Sequence, residues 1–123
     1  MGKFVMKTTK NGKIKFDLKA TNGQVVASSQ LYKAAKYART GINSVIKNAP
    51  AAAIEDQTVE GYTREKHPKF EIYQDNAGEF RFRLKATNGQ IIAVSEGYTT
   101  MKACVNGVNS VKKNAVDAPV VEE

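Results

Sequence analysis

Leu18-Lys19-Ala20-Thr21-Asn22-Gly23-Gln24 recurs without a change as Leu84-Lys85-Ala86-Thr87-Asn88-Gly89-Gln90. An identical run of that length in a 123-residue chain marks an internal repeat. The stretch also reads as the end of one strand, an Asn-Gly turn and the start of the next strand. Its simplest form is a two-residue type I′ loop.

The repeat extends outward without a gap. Lys3-Phe4 matches Lys69-Phe70, Gly12 matches Gly78, and Phe16 matches Phe82. Tyr32, Lys36 and Gly41 match Tyr98, Lys102 and Gly107, and Asn43-Ser44-Val45 matches Asn109-Ser110-Val111. About 22 of some 48 aligned positions are identical, so one duplicated unit fills nearly the whole chain. The division expected is a first unit at 1–57, a polar linker at 58–68 and a second unit at 69–123, packed as one pseudo-two-fold domain.

Each unit opens with a strand, Lys3 to Thr9 or Lys69 to Asp75. A Gly-containing three-residue turn follows, at Lys10-Asn11-Gly12 or Asn76-Ala77-Gly78. The second strand alternates: Ile14, Phe16, Leu18 and Ala20 share one face, as do Phe80, Phe82, Leu84 and Ala86. Counting back from the turns sets Ile72 opposite Phe82, Phe70 opposite Leu84, Leu84 opposite Ala93 and Ala86 opposite Ile91. All of these fall on a single apolar face. A helix is expected over Lys33 to Asn48 and over Thr99 to Asn114. Its apolar positions are Ala35, Ala38, Ile42 and Val45, or Met101, Cys104, Val108 and Val111. Thr99 is the expected N-cap of the second helix, and Lys33 is a poor one for the first. Gly41 and Gly107, in mid-helix, imply close approach of helix to sheet. Short strands end the units, at Ala52 to Gln57 and Pro119 to Glu122, giving β-β-β-α-β twice and an α+β fold.

The phrases Lys69-Phe70-Glu71-Ile72-Tyr73, Gly78-Glu79-Phe80-Arg81-Phe82-Arg83-Leu84-Lys85-Ala86 and Ser110-Val111-Lys112-Lys113-Asn114-Ala115 resemble the YegP-like family of small bacterial proteins. The second copy is the closer match, and the first has diverged. The resemblance implies one antiparallel-rich sheet with both helices on one face and terminal strands exchanged between repeats. It implies no activity and no catalytic residues.

Composition narrows the function classes. The content is 41% hydrophobic and 25% charged, which suits a globular chain. No apolar run approaches the roughly 18 residues of a membrane span, and Met1 to Lys7 lacks an apolar signal segment. A cytoplasmic protein is expected. The single cysteine, Cys104, lies on the apolar helix face as a small hydrophobe, and the single histidine, His67, precedes Pro68 in the linker. Neither has a catalytic partner in the pattern, and no metal spacing or phosphate-binding glycine loop is present. The expectation is a non-enzyme without cofactor or metal.

Of the net charge of +7, residues 1–50 hold ten basic side chains against Asp17 alone. The polar positions common to both copies (Thr21/Thr87, Asn22/Asn88, Gln24/Gln90, Tyr32/Tyr98, Asn43/Asn109, Ser44/Ser110) read as turn chemistry and helix-to-strand hydrogen bonds. The outer sheet face is the functional lead. In the first copy it presents Lys3, Lys7, Lys13, Lys15 and Lys19, an anion or nucleic-acid face in one reading. In the second it presents Tyr73, Arg81, Arg83, Ile92 and Val94, a face for a protein partner or a second copy. Tyr73 alone is a poor stacking platform for RNA. Val26, Ile92 and Val94 place apolar surface on that face, which asks for a cover. The function expected is an interaction module using this face; weak polyanion binding by the lysines is the alternative.

Overall fold

The computed structural model describes residues 2–123. The first unit runs β1 (Lys3–Thr8), β2 (Ile14–Lys19), β3 (Val25–Ser28), α1 (Ala35–Asn48), a 3-10 turn at Ala49–Ala51, and β4 (Ala53–Asp56). The second runs β5 (Lys69–Gln74), β6 (Phe80–Lys85), β7 (Ile91–Val94), α2 (Met101–Ala115) and β8 (Val120–Glu122). All the strands form one eight-stranded sheet in the order β4-β5-β6-β7-β3-β2-β1-β8.

That order carries the exchange. β4 lies parallel to β5 of the other unit, with Ile54 beside Phe70, and β8 lies parallel to β1, with Val120 beside Phe4. The units meet at the centre, where β3 and β7 pair through Ser28 and Val94. These are equivalent positions of the repeat, so the pseudo-two-fold axis passes between them.

The expected register of β1 with β2 and of β5 with β6 is present throughout, including Phe70 opposite Leu84 and Ile72 opposite Phe82. The inward residues Phe4, Phe16, Phe70 and Phe82 are fully buried. Each contributes roughly 1.5–3 kcal/mol of hydrophobic stabilisation. Phe4 meets Phe16 edge-on at 5.8 Å, and Phe70 meets Phe82 likewise.

The Asn-Gly corner differs from the two-residue type I′ reading. Gly89 N–H donates to the Ala86 carbonyl at 2.8 Å, Ala86 N–H donates to the Gln90 carbonyl at 2.9 Å, and Gly89 alone takes the positive φ, 84°. This is a three-residue turn with a left-handed glycine, and Gly23 repeats it at 85°. Asn88 stays at negative φ, and its Oδ1 accepts from the Gln90 N–H. The longer turn moves the register by one residue. Leu84 faces Ala93 as expected, but Ile91 faces Lys85 instead of Ala86, and a bulge at Ile92 absorbs the difference. A one-residue slip exchanges the two faces. Ile92 therefore turns into the core, 7% exposed, and Ile91 turns outward, 43% exposed. Val26 follows Ile92 in the first copy and packs against the core. Val26 and Ile92 thus leave the outer face expected of them, where Val94 and the turned-out Ile91 are the exposed apolar residues of the second unit.

The helices begin two residues later than expected. Thr100, not Thr99, caps α2 by accepting the Ala103 N–H, and α1 has Ala34 at its N-cap position with no side-chain cap. The mid-helix glycines do mark close approach, and what approaches is aromatic. Tyr32 and Tyr98 stack on Phe16 and Phe82, and their main chains are bonded in both directions to Ile14 and Phe80. A Cβ on Gly107 would stand 2.5 Å from the Tyr98 hydroxyl and 3.0 Å from the Phe82 ring. Gly107→Ala is therefore expected to lower stability by about 1–2 kcal/mol, overpacking outweighing the roughly 1 kcal/mol of helix propensity gained. Tyr98→Phe should recover much of that loss in the double variant. Urea unfolding of the four proteins checks it, and additivity of the two changes would remove the explanation.

Candidate interaction surfaces

Both helices pack on the Phe/Leu face, which leaves the alternate residues of the strands on the opposite side. There the charges are ordered. In the second unit Glu71 is 3% exposed and receives Arg83 at 2.6 Å, Lys69 at 3.1 Å and Lys85 at 3.3 Å. Lys69 reaches Glu55 of β4 at 2.8 Å, and Arg81 binds Asp75 at 2.6 Å. Arg83 also lies over the Tyr73 ring at 4.5 Å. Burial opposes ionisation of Glu55, but hydrogen bonds from Lys69, Gln57 and the Glu65 N–H outweigh it and hold its carboxyl at about 2. Glu71 is likewise held below the usual carboxylate range, against its burial, by its cation partners.

The first unit has the same strands with fewer acids. Asp17 is buried and is flanked by Lys15 at 3.3 Å and Lys7 at 3.5 Å, with the Ser28 hydroxyl donating to it at 2.7 Å. Lys3 stands opposite Lys19 across β1 and β2, and Lys7 opposite Lys15, as the register requires. Lys13 lies in the turn just before β2. Among the described residues, Lys3, Lys13 and Lys19 have no ion-pair partner, so three of the five predicted lysines remain unneutralised. Tyr73, Arg81 and Arg83 share the second unit's face, Val94 is 37% exposed at the axis, and Ile92 is withdrawn from it.

The repeated polar residues largely do structural tasks. Asn48 donates through its amide nitrogen to the Ser44 carbonyl and hydroxyl, and its Oδ1 accepts the Thr87 hydroxyl at 3.0 Å. The corner of the second unit is thus tied to the end of the first unit's helix. Asn114 makes the same bonds to Ser110. Cys104 is buried, and burial with the nearby Asp56 carboxylate pushes its thiol up to about 11. His67 is exposed in the linker. No group of three or more His, Cys, Asp or Glu placed to hold a metal occurs among the described residues. No helix among them is long and apolar enough to cross a membrane.

Sequence reasoning missed a cleft of about 490 Å³ between α1 and the second unit's corner. Leu31, Tyr37 and Ile91 stand half-exposed along it. Its signal lay in the off-face Tyr37, which the apolar spacing of α1 does not require, and in the divergence of Leu31 and Tyr37 from Gly97 and Ala103.

A family model for a domain of unknown function, DUF1508, matches residues 9–56 and again residues 75–122. The chain belongs to that family. A UPF0339 protein of Pseudomonas aeruginosa is 36% identical over 98% of the chain and 96% of its own length. The UPF0339 protein YegP of Yersinia pestis is 34% identical over 98% and 94%. A UPF0339 protein of Treponema denticola is 59% identical over 44% of this chain but 93% of its own, the length of one unit. The solution structure of yegP from E. coli, a protein of unknown function, superposes with a TM-score of 0.81 at 31% identity, covering 99% of this chain and 92% of that one. The YegP-like resemblance and the α+β fold with paired repeats therefore hold for this DUF1508 protein.

Proposed function

We propose that this DUF1508 protein is a non-catalytic interaction module that meets a protein partner through its helix-free sheet face. The observation that carries the reading is the one-sided layering. Both helices and the aromatic core occupy one side, and the other is a broad surface whose long side chains in the second unit are already held by ion pairs. Preorganised side chains lose less entropy on docking. Tyr73 under Arg83 and the exposed Val94 supply the apolar and aromatic contact, and Arg81 sits beside them. The buried thiol of Cys104 and the exposed position of His67 favour a binding role over a catalytic one. A photo-crosslinking residue at Val94, in cells of the source organism, should yield one dominant adduct that Arg81→Glu diminishes. The same residue at the exposed Lys102 of α2 should not yield that adduct. Equal adducts from both positions would end the reading.

The second reading, a polyanion partner, is favoured by the unneutralised Lys3, Lys13 and Lys19. Binding to a mixed oligonucleotide should then weaken steeply between low and physiological salt. The triple Lys→Glu variant should lose it by at least about tenfold. Binding unchanged in that variant, or absent at low salt, would dismiss it.

A further inference from the structure

The fold twice sets a helix of one unit against the Asn-Gly corner of the other, and the two clefts that result are lined differently. Each has a helix serine, Ser44 or Ser110, in its wall. The cleft on α2 is polar, with Asn22, Asn106, Asn109 and Lys113. The cleft on α1 has Leu31, Tyr37 and Ile91, 50%, 49% and 43% exposed. Duplication began with one lining for both, and the frame constrains neither Tyr37 nor Leu31, since Ala103 and Gly97 replace them without change of fold. Three large apolar side chains held half-exposed in one concavity are a contact surface in search of a cover.

Charge says what kind of cover. Lys33 lines the cleft, and Lys36 stands over the Tyr37 ring at 5.3 Å. Beyond Gln30, Gln90 and Ile91 the hollow continues to Lys85. No acidic residue lines either part. The sheet is also split here, because β7 meets β3 only at Val94, so the strand edge at Ile91 forms one wall.

We infer that this cleft docks an acidic segment of a partner protein, its apolar anchors on Leu31, Tyr37 and Ile91 and its carboxylates toward Lys33 and Lys36. The site lies between α1 and the second unit's corner, at the split in the sheet where Ile91 turns outward, and it shares no anchor with the Tyr73, Arg81 and Val94 surface proposed above, so it stands independently of that reading. Opposite charge around a small apolar centre supplies selectivity, and the apolar centre supplies the affinity.

The test is a titration of the 15N-labelled full chain with a synthetic peptide of about a dozen residues, Leu and Phe set among Asp and Glu. Its counterpart with Lys for every acid is the control. Amide shifts should centre on Leu31, Tyr37 and Ile91, and the basic peptide should cause none. Tyr37→Ala and Leu31→Ser, both at exposed positions that leave the core intact, should each weaken binding about tenfold. Shifts confined to Lys3, Lys13 and Lys19 would overturn the cleft while supporting the sheet face. No shifts at millimolar peptide would also overturn it. Two other results would reassign the occupant and so overturn the proposal. One is self-association abolished by Tyr37→Ala, with the exposed Val59-Glu60-Gly61-Tyr62 of a second copy as the occupant. The other is a decanoate ion binding there as tightly as the peptide.

Discussion

A fragment of residues 1–57 is expected to be unfolded as a monomer and to fold only as a dimer. Every strand partner of β4 lies in the second unit: Ala53 beside Lys69, Ile54 beside Phe70, Glu55 beside Glu71, Asp56 beside Ile72. Alone, the fragment keeps three strands and a helix whose end has lost the Thr87 hydroxyl. A chain of that size buries too little surface to tolerate such losses readily. Two copies restore them. β4 of one copy takes the place on β1 of the other that β8 holds in the full chain, setting Ile54 beside Phe4 as Val120 is now. Glu55 regains a lysine, because Lys3 is the repeat equivalent of Lys69, and Asn48 regains a threonine, because Thr21 is the equivalent of Thr87. Circular dichroism over a dilution series, with sedimentation equilibrium alongside, reads the outcome. Helix content should rise with concentration in step with dimer mass. A folded monomer at low micromolar concentration would show that the exchanged strand is not essential to the unit. The one-unit length of the Treponema denticola relative fits a unit that can exist as a separate chain.

The sequence revealed the strands and their register where local chemistry decides them. The Phe/Leu alternation and the Gly-containing first turns set Ile72 against Phe82 and Lys3 against Lys19 directly. It misled at Asn88-Gly89, since Asn-Gly serves both a type I′ loop and a three-residue turn with left-handed glycine. The difference is the sign of one φ at Asn88, and the corner's tie to Asn48 lies in the other unit. From that single angle came the misplacement of Ile91 and Ile92. Gly41 and Gly107 announced close packing, but not that Tyr32 and Tyr98 were its cause, for those rings arrive from an irregular segment before each helix. The Glu55–Lys69 contact depends on the strand exchange, which resemblance to a family suggested and residue patterns did not. The α1 cleft was hidden for the same reason: its walls belong to different units.

Glu55→Gln is expected to flatten the acid limb of the stability curve. Glu55 is 2% exposed, with Lys69 at 2.8 Å, Gln57 at 2.7 Å and the Glu65 N–H at 2.7 Å. These donors hold its carboxyl at about 2, against 4.5 for an ordinary glutamate. A carboxyl depressed on folding contributes stability that is complete above its unfolded value and is lost as pH falls through its folded one. The window is therefore about pH 5 down to pH 2. At 1.36 kcal/mol per unit, the contribution at neutral pH is on the order of 3 kcal/mol. Removing the charge also leaves Lys69 with Glu71 alone, which is weaker compensation for a buried ammonium. At pH 7 the variant should melt about 10 °C lower, and at pH 2 the two proteins should nearly coincide. Glu71, also depressed, keeps some slope in the variant. Glu60→Gln, on the exposed linker, should leave the curve where it is. If wild type and Glu55→Gln run parallel from pH 7 to pH 2, the Glu55–Lys69 contact contributes no net charge stabilisation. The ordered charges of the helix-free face would then derive their value from binding a partner and not from folding.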